Sequence, residues 1–161
     1  MGGGLLPVTI HNGKILFLLG REHDEKKWSD FGGGREGNES HYETALREGC
    51  EELNGFFGCK SKLKNTVKKN MILEVSKNGF TSYVFYVPYD PYLPGYFENN
   101  FKLMRQRFPN HIGKKGMFEK DKINWFTSHN AKKNMKNVRP FYRAVMSEVL
   151  KKVGLIKKML L

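Results

Sequence analysis

Residues 33–52 constrain this chain more than any other segment. Gly33 is followed after five residues by Glu39, and after seven more by the pairs Arg47-Glu48 and Glu51-Glu52. The second half of this pattern requires a helix. Ser40 offers a side-chain acceptor ahead of the first turn, and Glu43, three residues on, completes a capping box. Asn54-Gly55 ends the segment with residues that tolerate the left-handed conformation. The predicted helix therefore covers residues 41–53, with Tyr42, Leu46, Gly49 and Leu53 as its apolar stripe. Glu48, Glu51 and Glu52, spaced i, i+3, i+4, fall on one face roughly opposite. Carboxylates so placed repel one another unless a cation sits among them. Gly49 costs about 1 kcal/mol against alanine in mid-helix and would permit close packing against a strand. Upstream, Phe31-Gly32-Gly33-Gly34 lets the backbone come close to a ligand. An acidic helix behind a glycine turn suits a divalent cation that handles phosphate oxygens.

In these residues the chain resembles the Nudix hydrolases. Their signature reads Gly, five residues, Glu, seven residues, Arg-Glu-apolar-any-Glu-Glu-any-Gly-apolar; Gly33, Glu39, Arg47, Glu48, Glu51 and Glu52 all match it. Matches at so many fixed positions arise by chance roughly once in 10⁷ start positions. Gly49 and Gly55 stand where apolar residues are usual, and Asn54 where glycine is usual. None of these departures touches a charged position. The resemblance implies an α/β fold, a Nudix-like α/β/α sandwich with a mixed β-sheet. It also implies an enzyme that hydrolyses a diphosphate linked to another moiety. Mg²⁺ or Mn²⁺ would be held by Glu48, Glu51 and Glu52, with the carbonyl of Gly32 completing the coordination. Arg47 would orient these carboxylates, with Glu39 in the same supporting role. The general base would be Glu48 or Glu119, the latter just ahead of a late strand where the family often has an acid. Arg21, Lys27 and Arg35 flank the glycine turn and are candidates for holding phosphates.

The substrate is not written in that signature. A net charge of +12 and a pI near 9.7 point to an anionic partner, either RNA or a polyphosphate lying in a basic groove; a lysine-rich solvated surface would give the same numbers. Lysines and arginines crowd residues 60–69, 102–115 and 132–143. Trp28, Tyr83, Phe85 and Trp125 are candidates for stacking bases. The capped or 5′-phosphorylated end of RNA is the preferred substrate on the basis of charge. A diphosphoinositol polyphosphate, suggested by the Gly32-Gly33-Gly34 run, and a free nucleotide remain open. So does a different class, a non-catalytic RNA-binding module, although an intact set of carboxylates argues against it.

At 161 residues the chain reads as one domain spanning residues 1–161. No apolar run is long enough to span a membrane, and the first residues do not read as a secretory signal. Cys50 and Cys59 read as ordinary buried thiols, which suits a reducing, cytoplasmic setting. Oligomeric state is not legible. Strands are expected at residues 5–11 and 14–19 around the Asn12-Gly13 turn, at 70–75 and 80–88 around Asn78-Gly79, and at 122–126. Residues 21–29 read as loop. Helices are expected at 96–108 and from Pro140, with residues 151–161 as a frayed basic end.

Overall fold

The computed structural model describes residues 1–161. A mixed sheet forms its middle layer. β1 (Gly2–His11) runs parallel to β6 (Phe80–Tyr86) along one edge. Along the other edge it pairs antiparallel first with β4 (Phe31–Gly34) and then with β2 (Lys14–Glu22). β5 (Met71–Lys77) extends the β6 side. β3 (Trp28–Ser29) and β7 (Lys120–Thr127) extend the β2 side.

The alternation of side chains along these strands explains the two helical layers. Leu6 and Val8 of β1, Phe17 and Leu19 of β2 and Val84 of β6 face one way. There they meet Tyr142, Val145, Met146 and Val149 of α5 (Pro140–Lys151) and Ile156 of α6 (Val153–Leu160). Leu5, Tyr83 and Phe85 face the other way, onto Ala45 of α1 (His41–Glu52) and Leu63 and Val67 of α2 (Lys60–Asn70). A third cluster, Leu18, Phe31, Leu53 and Ile123, is closed by Phe97 of α3 (Leu93–Arg107). A short α4 (Ser128–Lys133) follows β7. The expected α/β/α sandwich is thus observed.

Several expectations need correction. β1 begins at Gly2, not residue 5, because glycine side chains are absent where β4 and α1 press close. A Cβ on Gly2 would meet the Gly33 carbonyl, and one on Gly3 the His41 carbonyl. Residues 28 and 29, read as loop, form β3. Helix α2 was not expected: Leu63 and Val67 are its only buried residues and lie among lysines, so the stripe is too narrow to register as a period. Burial of two such side chains still contributes about 2 kcal/mol each. Residues 153–160 are not a frayed end but a helix anchored by Ile156. Cys50 and Cys59 are not free thiols; they form a disulfide between α1 and the residue that precedes α2. That pairing removes the cysteine argument for a reducing compartment.

Candidate active site

Helix α1 starts as the sequence predicts. The Ser40 hydroxyl accepts from the Glu43 amide at 3.0 Å, and the Glu43 carboxylate accepts from the Ser40 amide at 2.9 Å. It ends in a left-handed pair, with φ of 50° at Asn54 and 74° at Gly55. Gly49 does permit close packing: a Cβ there would collide with the Leu5 side chain on β1. The buried face, however, is Thr44, Ala45, Gly49 and Glu52, while Tyr42 and Leu46 are only half-buried. Glu52 therefore does not lie opposite the packing stripe; it belongs to it, i+3 from Gly49, and is only 2% exposed. Its carboxylate passes beneath β4 and accepts from the Gly32 amide at 2.9 Å.

Glu48 and Glu51 stay nearer the surface and meet at Arg47. The Arg47 Nη1 lies 3.0 Å from Glu48 Oε1 and 3.3 Å from Glu51 Oε2, its Nε donates to Glu39 Oε1 at 2.8 Å, and its Nη2 donates to the Gly34 carbonyl at 2.9 Å. One guanidinium thus ties three signature carboxylates to the glycine turn, using the fixed donor fork that lysine lacks. The Arg47 hydrogen bond holds the Glu39 carboxyl below its ordinary range. The Glu48 carboxylate lies directly against Gly33, where any Cβ would strike it.

A second group of acids arrives from distant sequence. Oxygens of Glu22 at the end of β2, Glu52 on α1 and Glu119 just before β7 lie within 4.8 Å of one another. Glu119 was anticipated; Glu22 was not. Only the β2–β7 register, which sets Glu22 beside Lys120, brings it in, and no local signal marks it. Lys120 was also missed. It is fully buried, its Nζ donating to Ser29 Oγ at 3.0 Å and lying 3.5 Å from Glu52 and 3.9 Å from Glu22. Its stem fills the space left by Gly20, whose Cβ would collide with it. Asn54, a departure from the signature, has a use: its side-chain oxygen accepts from the Phe118 amide at 2.8 Å and so holds the residue before Glu119.

Burial raises the pKa of Glu48, Glu51, Glu52 and Glu119. Neighbouring carboxylates push the same way, Glu48 for the other three and Glu22 for Glu52 and Glu119, with Lys120 opposing for those two. Crowded acids with too few cations are a physical description of a metal site. The fit is specific in one respect: Glu22 Oε2 is buried and has no hydrogen-bond partner. The donors are all hard oxygens, as Mg²⁺ and Mn²⁺ require.

Arg21, Lys27 and Arg35 fare differently from one another. Arg21 is committed to Asp121, through Nε at 2.9 Å and Nη2 at 3.1 Å, alongside His23 and Lys26. Lys27 donates to the Lys136 carbonyl at 3.0 Å. Arg35 alone is exposed beside the turn. The four aromatics chosen for stacking are structural: Tyr83 and Phe85 are buried, Trp28 packs edge-on to Phe126, and the Trp125 indole donates to the Asp90 carbonyl at 3.0 Å.

No family model matches the sequence, and neither does any curated protein. Solved structures do match. An Ap4A hydrolase of C. elegans in a binary complex superposes with a TM-score of 0.56 at 15% identity, over 95% of this chain and 96% of that one. The Nudix hydrolase RenU of M. smegmatis gives a TM-score of 0.52 at 12% identity, covering 97% and 87%. A bifunctional NMN adenylyltransferase/ADP ribose pyrophosphatase of Francisella tularensis, complexed with AMP and a Mn ion, gives 0.55 at 17% identity over 94% of this chain and 42% of that one. The chain has the Nudix fold. Its signature residues lie on the glycine turn, on the loop that carries Glu39 and on α1.

Proposed function

We propose that the chain, acting as a single domain, is a metal-dependent pyrophosphohydrolase that cleaves a phosphoanhydride in a nucleoside-diphosphate-linked substrate. One observation carries this reading: Glu22, Glu52 and Glu119 bring oxygens within 4.8 Å of one another while Glu48 and Glu51 stand on Arg47 at the same glycine turn, with fewer cations than charges. Glu48, Glu51 and Glu52 with the Gly32 carbonyl would hold Mg²⁺ or Mn²⁺, and Glu22 adds an oxygen without a hydrogen-bond partner, flanked at ion-pair distance by Lys120 and Arg139. Such ions, when bound, polarise phosphoryl oxygens and ease ionisation of water near neutral pH. Arg47 positions Glu48 and Glu51 rather than touching substrate. Glu119 or Glu48 accepts the proton of the attacking water; burial has raised both toward the range a general base needs.

For the substrate we keep the 5′ end of RNA, capped or phosphorylated, on the strength of charge. A cleft of about 470 Å³ between α1 and α2 opens onto Arg47 and Glu51 and is lined by Lys60 and Lys64, a path for a polyanion. A free nucleotide is the second reading, favoured by the likeness to an Ap4A hydrolase over nearly the whole of both chains.

The test is Mg²⁺- or Mn²⁺-dependent hydrolysis of capped RNA, a nucleoside triphosphate, a dinucleoside polyphosphate and a diphosphoinositol polyphosphate by wild type and Glu52→Gln. Loss of at least about a hundredfold in kcat is expected for the variant; glutamine still accepts from Gly32 but leaves the buried Lys120 with one carboxylate fewer, so folding is checked alongside by circular dichroism. Full activity in Glu52→Gln would defeat the site assignment. Salt-sensitive RNA binding with no turnover of any compound would make the protein a binding module.

A further inference from the structure

From residue 99 to residue 118 the chain carries Lys102, Arg105, Arg107, Lys114 and Lys115 and no acid. The first part of this stretch belongs to α3, whose inner face is seated by Phe97 and Phe101, 0% and 3% exposed. Its outer face meets solvent. Tyr92, at the N-cap, is followed by Tyr96, Leu103 and Arg107 at i+4, i+11 and i+15, which sets all four on one side of the helix. Tyr92 is 70% exposed, Tyr96 61% and Leu103 49%, and Arg107 is exposed beside them. Large apolar side chains left in water along one face mark an interaction surface.

The flank of the same helix borders a cleft of about 240 Å³ against β7, where Arg21, Lys26, Lys102, Arg105 and Lys122 have only Glu98 and Asp121 to match them. Asp121 is taken by Arg21 and Lys26, and Glu98 by Lys102 and Lys122, which leaves Arg105 without a carboxylate. The cleft is the inverse of the acid cluster, since here cations outnumber acids, and it attracts anions. Beyond α3 the chain runs through Lys114 and Lys115 to Gly116, where a Cβ would strike the Glu51 carboxylate, and on to Glu119. A ligand that follows these cations therefore arrives at the acids. The tyrosines decide what kind of anion fits. An RNA chain brings phosphates for the arginines and bases for the rings, whereas a polyphosphate or an acidic peptide brings the charge alone. With 15 residues α3 is about 22 Å long, room for several nucleotides.

We propose that single-stranded RNA lies along the outer face of α3, its bases stacked on Tyr92 and Tyr96 and its phosphates held by Arg105 and Arg107, so that its 5′ end is led past Lys114 and Lys115 to the acid cluster. This deepens the hydrolase reading and rests on it for what happens at the 5′ end; the binding itself needs no metal.

The experiment is fluorescence anisotropy, in chelator, of the full chain with a 3′-labelled RNA decamer that ends in a 5′-hydroxyl and so offers no phosphoanhydride. Tyr96→Ala should weaken binding about tenfold, as loss of one stacked base does, and leave its salt dependence unchanged; Tyr96→Phe, which keeps the ring, should bind as wild type does. Arg105→Gln should weaken binding and lower the slope of log affinity against log salt by about 1, as loss of one phosphate contact does. Both side chains are exposed, and Tyr92→Ala repeats the stacking test at a second position should Tyr96→Ala fail to fold. Unchanged decamer affinity in the folded tyrosine variants overturns the proposal. So does loss of binding in Lys60→Ala/Lys64→Ala alone, which would return RNA to the cleft between α1 and α2. Decaglutamate or inorganic polyphosphate that competes as strongly as unlabelled decamer overturns it too, in favour of an acidic partner. Tyr96-dependent binding of the decamer by a protein that hydrolyses nothing would keep the RNA track and sink the hydrolase; turnover of capped RNA with a KM unmoved by Tyr96→Ala would do the reverse.

Discussion

Two acids near the start of β7, two residues apart, live in opposite electrostatic worlds. Asp121 is met by Arg21, His23 and Lys26. Although burial works against ionisation, the hydrogen bonds from Arg21, Lys26 and His23 bring its pKa down to about 2 from 3.8. Glu119, on the other side of Lys120, faces Glu22, Glu48 and Glu51, and burial together with those charges moves it up. The chain supplies counter-ions generously at one place and sparingly at the other. It is not short of cations, since its net charge is +12. Their scarcity around Glu119 is therefore a property of placement, and it leaves the acid cluster with more carboxylates than facing cations.

The largest expected effect on this contrast comes from Lys120, the one buried cation the acids do have. Burial raises the Glu52 pKa to about 8 with Lys120 opposing, so above that pH Lys120→Met should cost about 3 kcal/mol in chelator, because the ionised Glu52 loses its partner in a site that cannot hydrate it. Added Mn²⁺ should then raise the melting temperature more than it does in wild type. Denaturant unfolding with and without metal checks both. A variant as stable as wild type, with the same response to metal, would break the comparison at its acidic end.

Asp121→Asn probes the opposite end. Because the folded-state pKa lies below the ordinary value, the ionised form favours folding. That contribution is present above pH 3.8 and disappears as pH falls toward about 2. Asp121→Asn should lose about 2 kcal/mol at pH 7, and its stability curve should lack the acid-side decline that wild type shows in that window. Identical acid limbs would mean that the three cations do not stabilise Asp121. The smallest effect belongs to the seat of α1. Gly49→Ala should cost about 1 kcal/mol, the strain of displacing Leu5 offset in part by better helix propensity. Weaker Mn²⁺ binding, seen by electron paramagnetic resonance, should accompany it if the acids depend on how closely the helix meets β1.

How much of this was legible in the sequence depends on whether a feature is local. The capping box, the left-handed Asn54-Gly55 end, the hairpin turns and the carboxylates with their Arg47 hub all lie within a few residues of one another, and they were found. The role of Asn54 was not, because it consists of one hydrogen bond to a residue 64 positions away. Glu22 and Lys120 escaped for the same reason: strand register, not spacing, makes them neighbours. Glu52 was placed on the wrong face, since an apolar stripe is an average and a single carboxylate can join it where a backbone amide receives it.

The hold of Asn54 on Phe118 has a consequence for how such a protein can vary. Residues 108–117 join α3 to the acid cluster as two short 3₁₀ turns. The far end of that connection is pinned twice, by Asn54 at residue 118 and by the β2–β7 ladder from residue 120 onward. Residues 108–112 could be lengthened or shortened while Glu119 kept its position, whereas Gly116, nearer the pin, lies against the Glu51 carboxylate and leaves no room for change. The start of that connection can therefore change length without moving the acid at its far end, because the fixing contacts all lie after it.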